Sequence, residues 1–273
     1  MSLPAPSSHT TCLVTGASSG IGVEIARQLA RRGLGVTLVA RRQAQLRALA
    51  EELTTAHGIR AEVLPADLTD ADARAGLATQ LEALGLVVDV LVNNAGFTTM
   101  GPVYRADRAA ELSMIRTDVE AVADLCTIFV PGMASRRRGC VLNTASTAAF
   151  QPLPGQAGYA ASKAFVLSYS HALRAELRAV GVTVTALCPG PVRTGFGEAA
   201  GIPDDEAAQA LPRFMWVPAP EVARAAVEGM EQDRAVVIPG LANRVGALAG
   251  HLVPRRPLTA LLSRQHPALT RER

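Results

Sequence analysis

A chain of 273 residues, 49% of them hydrophobic and 19% charged, has material for one large α/β domain or two small ones with a substantial core. A net charge of +3 is too small to argue for nucleic acid, and no basic stripe interleaved with aromatics accompanies it. No run of roughly 20 apolar residues suggests a membrane span, and MSLPAPSSHT lacks the basic and apolar regions of a signal peptide, so the expected location is cytoplasmic.

Residues 1–9 read as a flexible tail. Residues 11–15 form a short apolar strand that runs into Gly16-Ala17-Ser18-Ser19-Gly20-Ile21-Gly22, and an amphipathic helix follows to about Arg32, stopped by Gly33. A second strand, 35–40, ends on Arg41-Arg42, and a helix runs to about His57. Then come strand 61–64, the pair Asp67-Leu68, helix 70–84, and strand 87–92 ending on Asn93-Asn94-Ala95-Gly96. The run Arg136-Arg137-Arg138 reads as the solvated end of a helix. Residues 140–145 are a strand, 158–180 a helix, and 182–187 and 235–238 the last strands. Continuous apolar strands alternating with helices argue an α/β fold: a single-domain, Rossmann-like doubly wound parallel sheet of about seven strands, helices on both faces, over 10–240. The four cysteines (Cys12, Cys126, Cys140, Cys188) stand apart inside apolar runs with no zinc spacing, so they read as reduced core thiols and no metal site is expected.

In such sheets ligands bind beyond the strand ends, where strand order reverses. The unusual residues fall there: the glycine turn after the first strand, Asp67 after the third, Asn93 to Gly96 after the fourth, Ser146 after the fifth, and Pro189-Gly190 after the sixth. The G-x-x-x-G-x-G spacing departs from G-x-G-x-x-G, but glycines there still permit a tight turn and close approach of backbone to a pyrophosphate; a purely structural turn is the alternative. At the end of the second strand Arg41 and Arg42 stand where a carboxylate would suit plain ribose hydroxyls. An arginine fork suits a 2′-phosphate, which points to NADP(H), although two surface arginines opening a helix would look the same.

Tyr159 and Lys163 lie four apart on one helix face, with Ser146 at a strand end. A nearby ammonium and the positive end of a helix favour the phenolate, so the phenol can exchange a proton with a substrate oxygen that Ser146 also holds. The pair alone would equally suit stacking on a helix surface.

Together these residues resemble the short-chain dehydrogenase/reductase family from about Thr11 to Ile238. The run Thr15 to Gly22, with Gly16, Ser18, Ser19, Gly20, Ile21 and Gly22, resembles its cofactor turn; Asp67-Leu68 its adenine contact; and Asn94-Ala95-Gly96 its strand-four motif. Ser146, Tyr159 and Lys163 match its catalytic set, with twelve residues between serine and tyrosine, and Pro189, Gly190, Val192 and Thr194 resemble the segment closing over nicotinamide. The resemblance implies hydride transfer between NADP(H) and a carbonyl or secondary alcohol. Tyr159 would be the acid/base beside the nicotinamide, and Lys163 would bind the nicotinamide ribose. It also implies a homodimer or homotetramer with no nucleic-acid partner. One position departs: Asp118 stands where the family often has an asparagine that serves a proton relay. That departure motivates a second reading, an NADP(H)-binding sensor or scaffold without turnover.

Residues 190–218 take the place of a substrate lid. Phe196, Phe214, Met215 and Trp216 there would line a pocket for an acyl, steroid-like or lipid-like carbonyl, or else pin the lid to the core. The extension 241–273, apolar with arginines over 241–262, would pack on the domain, join subunits or lie on a bilayer surface.

Overall fold

A computed structural model of the chain describes residues 3–193, 212–265 and 269. Seven strands form one parallel sheet in the order β3-β2-β1-β4-β5-β6-β7, namely β1 (Thr10–Thr15), β2 (Val36–Ala40), β3 (Ala61–Pro65), β4 (Val87–Asn93), β5 (Gly139–Thr144), β6 (Val182–Leu187) and β7 (Val236–Val237). Every residue of β5 and β6 is buried, as a sheet covered on both faces requires. Order reverses between β1 and β4, whose register runs Cys12 to Val90 and Val14 to Val92.

On one face α1 (Gly20–Ala30), α2 (Gln43–His57) and α7 (Ala219–Glu231) bury Ile25, Leu29, Leu46, Leu53 and Val227 against the strands. On the other, α3 (Ala71–Ala83), α5 (Ala121–Ser135) and α6 (Ala157–Leu177) bury Leu77, Leu81, Leu125, Met133 and Leu173. α4 (Arg108–Ile115) leads into a π-helical turn, Arg116–Glu120, before α5. The chain closes with α8 (Leu241–Leu252) and α9 (Arg255–Gln265). Among the described residues no helix is long and apolar enough to cross a membrane.

Two polar anchors hold the frame. Arg74, buried on α3, donates to the Leu68 carbonyl (2.8 Å) and pairs with Glu120 (2.6 Å) and Asp124, tying the loop after β3 to the π turn and α5. Arg136 and Arg138 are not merely a solvated helix end. Both reach buried Asp89 of β4, Arg138 Nε at 2.9 Å, because a carboxylate inside the sheet needs cationic partners. Arg138 also donates to the Ala5 carbonyl at 2.8 Å, and Leu3 packs on the core, so residues 3–9, expected as a loose tail, are fastened to the domain.

Candidate active site

Beyond β1 the backbone turns through Gly16 and Gly20 at φ of 67° and 59°. A Cβ on Gly22 would lie 2.4 Å from the Gly16 carbonyl oxygen and 2.6 Å from Asn94 Nδ2; one on Gly16 would lie 2.8 Å from Ala95 Cα. The turn therefore has to be glycine where it meets the Asn94-Ala95 segment. Thr15 fastens the two. Its hydroxyl donates to the Val92 carbonyl (3.1 Å) and accepts from the amides of Asn94 (2.9 Å) and Ala95 (3.1 Å), while Asn94 Nδ2 donates back to the Thr15 carbonyl (3.1 Å). Ser19, at the N-cap of α1, makes no capping bond with its side chain. A helix start uncapped by its own N-cap, behind a close glycine turn, suits an anion such as a pyrophosphate.

Ser19 is engaged elsewhere. Arg42 Nη2 donates to Ser19 Oγ at 2.7 Å and to Ser18 Oγ at 3.0 Å, with Nε 3.2 Å from Ser18 Oγ. An exposed guanidinium is thus held flat against the glycine turn. The neighbouring arginine differs: the Thr69 amide and hydroxyl, donating to Asp67 Oδ1 at 3.0 and 2.8 Å, hold that carboxyl below its usual range, and Arg41 adds its charge. Leu68 is buried beside them, its carbonyl bound by Arg74.

Ser146 follows β5, caps the 3-10 turn Thr147–Phe150 by accepting from the Ala148 amide (3.1 Å), and hydrogen-bonds the Tyr159 side chain. Tyr159 and Lys163 project from the start of α6, Lys163 Nζ lying 5.7 Å from the phenol ring centroid. Nζ donates to the Thr144 carbonyl at 3.1 Å and sits 2.9 Å from Asp118 Oδ2. Asp118 is fully buried on the π turn, and its Oδ1 accepts from the Phe97 amide at 3.1 Å. A Cβ on Gly96 would meet Asp118 Oδ1 at 2.8 Å and Lys163 Nζ at 3.2 Å, so Gly96 leaves the room for this ion pair.

From sequence, the Tyr159/Lys163 pair predicts a lowered phenol pKa. In the fold the net direction is upward: burial dominates, Lys163 and the Ser146 hydrogen bond pull against it, and Asp118 adds to the rise. Burial likewise pushes the Asp118 carboxyl above its usual range against the pull of Lys163. Burial opposes the Lys163 charge, yet Asp118 and then the phenol hold the ammonium above its ordinary value. An ammonium neutralised by a carboxylate does less for a phenolate than a lone one.

Pro189 is buried at the end of β6, and its carbonyl accepts from the Thr147 amide at 2.9 Å. Gly190 is pressed by Asn243 of α8, whose amide would lie 2.3 Å from a Cβ there. Asn243 Nδ2 donates to the carbonyls of Met215 and Pro239, each at 3.0 Å, clasping the chain after β6, the segment before α7 and the C-terminal extension. Val192 packs against the core, while Thr194 and Phe196 lie outside the described residues. Trp216 is half-buried with the Arg193 guanidinium 5.8 Å from its ring, and Phe214 is exposed. Arg74, Asn143 and Asn243 carry no local signal in the sequence. Asn143 accepts from Asn93 Nδ2 (2.9 Å) and donates to Ser170 (3.0 Å), bracing β4, β5 and α6 behind the site. All four cysteines are buried and free.

A family model described as short chain dehydrogenase matches residues 10–203. A protein of Myxococcus xanthus (strain DK1622) named "Uncharacterized oxidoreductase" is 39% identical over 190 residues, 70% of this chain and 75% of its own. The very-long-chain 3-oxoacyl-CoA reductase of Anas platyrhynchos is 36% identical over 192 residues; the match covers 67% of this chain but 59% of that protein. Among solved structures, a short-chain dehydrogenase from Sphingobium yanoikuyae in complex with NADPH superposes with a TM-score of 0.79 at 34% identity, covering 92% of this chain and 95% of its own. Sequence, sheet order and strand-end geometry agree, and the chain belongs to the short chain dehydrogenase family.

Proposed function

We propose that the chain is an NADP(H)-dependent oxidoreductase interconverting an apolar ketone and its secondary alcohol. The observation that carries this reading is the joint placement of Ser146, Tyr159 and Lys163 at the strand ends beside the glycine turn. The residues present fit the nucleotide. Gly16 and Gly20 turn the backbone at positive φ, Gly22 lets it close on Asn94, and the first turn of α1, uncapped by Ser19, would face the pyrophosphate. Arg42 with Ser18, supported by Arg41, would hold a 2′-phosphate. Asp67 and Leu68 would border the adenine, Asn94, Ala95 and Gly96 the ribose, and Pro189, Gly190 and Val192 the nicotinamide. The NADPH bound by the Sphingobium neighbour supports the same choice of cofactor.

The bound cofactor supplies the hydride; the protein supplies orientation and proton handling. In reduction the Ser146 hydroxyl and the Tyr159 phenol hold the substrate oxygen, and the phenol gives up its proton to it. A phenol kept protonated by burial is suited to that role as an acid. Lys163 stabilises the phenolate left behind, and Asp118 fixes the ammonium in place.

An apolar substrate is supported by Phe214, Met215 and Trp216 in the segment before α7, which Asn243 ties to the chain end, and by the 3-oxoacyl-CoA named for the Anas relative. The reading keeps the cytoplasmic location and the homo-oligomer expected from sequence; Leu112, Ile115 and Phe165, exposed on α4 and α6, offer apolar area to a subunit contact. The test is nicotinamide absorbance in a panel of bulky ketones and 3-oxoacyl thioesters with NADPH and with NADH. Consumption of NADPH in preference to NADH supports the assignment. Tight NADPH binding with no consumption across the panel would instead favour the sensor or scaffold.

A further inference from the structure

The helix α8 has two opposed faces. Asn243, Ala247 and Gly250 are buried against the domain, where Gly250 meets Gln151 and Arg255 donates to the Phe150 carbonyl at 3.0 Å. Opposite them, Leu241, Val245, Leu248 and Leu252, spaced i, i+4, i+7 and i+11, form a stripe with exposures of 76%, 61%, 60% and 69%. Phe214, 74% exposed, precedes Met215, whose carbonyl Asn243 holds, so it lies beside the first turn of α8. Such a stripe is costly to leave in water, and one packed side of the helix already satisfies the fold.

Charge singles out the occupant. Between residues 241 and 271 there are five arginines (Arg244, Arg255, Arg256, Arg264, Arg271) and no aspartate or glutamate. The whole chain carries only +3, so without those five the remainder is net negative. Arg244, Arg255, Arg256 and Arg264 are exposed beside or just beyond the apolar stripe. An apolar helix face bordered by cations and free of carboxylates matches an anionic bilayer surface, into which leucine and valine sink while arginines remain at the headgroups. A second copy of the chain would bring the same arginines against themselves.

We propose that α8 and the arginines after it seat the protein on an anionic lipid surface. The buried face of α8 covers the turn that follows Ser146, so docking places that side of the candidate active site toward the bilayer.

The test reads binding alone and is independent of what the enzyme reduces. Full-length protein is sedimented with phosphatidylcholine vesicles, with and without phosphatidylglycerol, at low and high salt. Cosedimentation is expected with the anionic vesicles only and falls as salt rises. Arg256→Gln and Arg264→Gln should each weaken partitioning about fivefold, since each basic residue near such a surface contributes about 1 kcal/mol. Leu248→Glu with Leu252→Glu should abolish it, with the thermal transition confirming a folded protein. Failure of the wild-type protein to sediment with anionic vesicles would overturn the proposal. So would unchanged vesicle binding of the double glutamate variant together with a halved mass in light scattering, which would assign the stripe to a second copy.

Discussion

Arg42→Ala tests the choice of cofactor. The guanidinium is already oriented by Ser18 and Ser19, its Nη2 2.7 Å from Ser19 Oγ, so little side-chain entropy is lost when it meets a phosphate. Hydrogen bonds to charged groups contribute about 1.5–3 kcal/mol, and exposure of this arginine argues for the lower half of that range. About 2 kcal/mol corresponds to roughly a thirtyfold rise in the Kd for NADPH. NADH has no phosphate at that position, so its Kd should stay within about twofold. Nicotinamide fluorescence titrations of both cofactors against wild type and variant give the two ratios directly. A Kd for NADPH that moves less than about threefold, or an equal loss for NADH, would refute the assignment of Arg42 to the 2′-phosphate.

Asp118→Asn removes a charge that raises the Tyr159 pKa, so the phenol should ionise at lower pH. The alkaline fall of ketone reduction and the alkaline rise of alcohol oxidation should both move to lower pH; movement of either limb upward contradicts the account. Gly22→Ala should abolish NADPH binding and lower the thermal transition, because its Cβ must displace the Gly16 carbonyl or Asn94. Arg74→Met strands Glu120 and Asp124 and frees the Leu68 carbonyl; partly exposed partners limit the cost to about 2 kcal/mol, seen as a fall of roughly 4–8 °C in Tm.

The sheet was legible because parallel strands buried on both faces carry short apolar runs; residues 12–14 of β1, 90–92 of β4 and 140–142 of β5 are the plainest cases. The glycine turn and the Tyr159/Lys163 spacing were legible for a similar reason, since local geometry alone fixes what they face. Long-range contacts left no such mark. Nothing local distinguishes Arg42, which folds back on the glycine turn, from Arg41, which lends its charge to Asp67. The π turn at Arg116–Glu120 has no periodic signature, yet it carries Asp118 to Lys163. Arg74 and Asn243 read as ordinary polar positions on helices, and only tertiary packing reveals what they hold. The upward shift of the phenol is not visible in sequence, because burial and the Asp118 charge are properties of the assembled site.

The most direct measurement of the central claim pairs two readings on one variant, Tyr159→Phe: NADPH affinity by fluorescence titration, and NADPH oxidation with a bulky ketone that wild type reduces. The account predicts an unchanged Kd and a rate reduced by at least about a hundredfold, the scale of a lost general acid. A variant that still oxidises NADPH at the wild-type rate would contradict it.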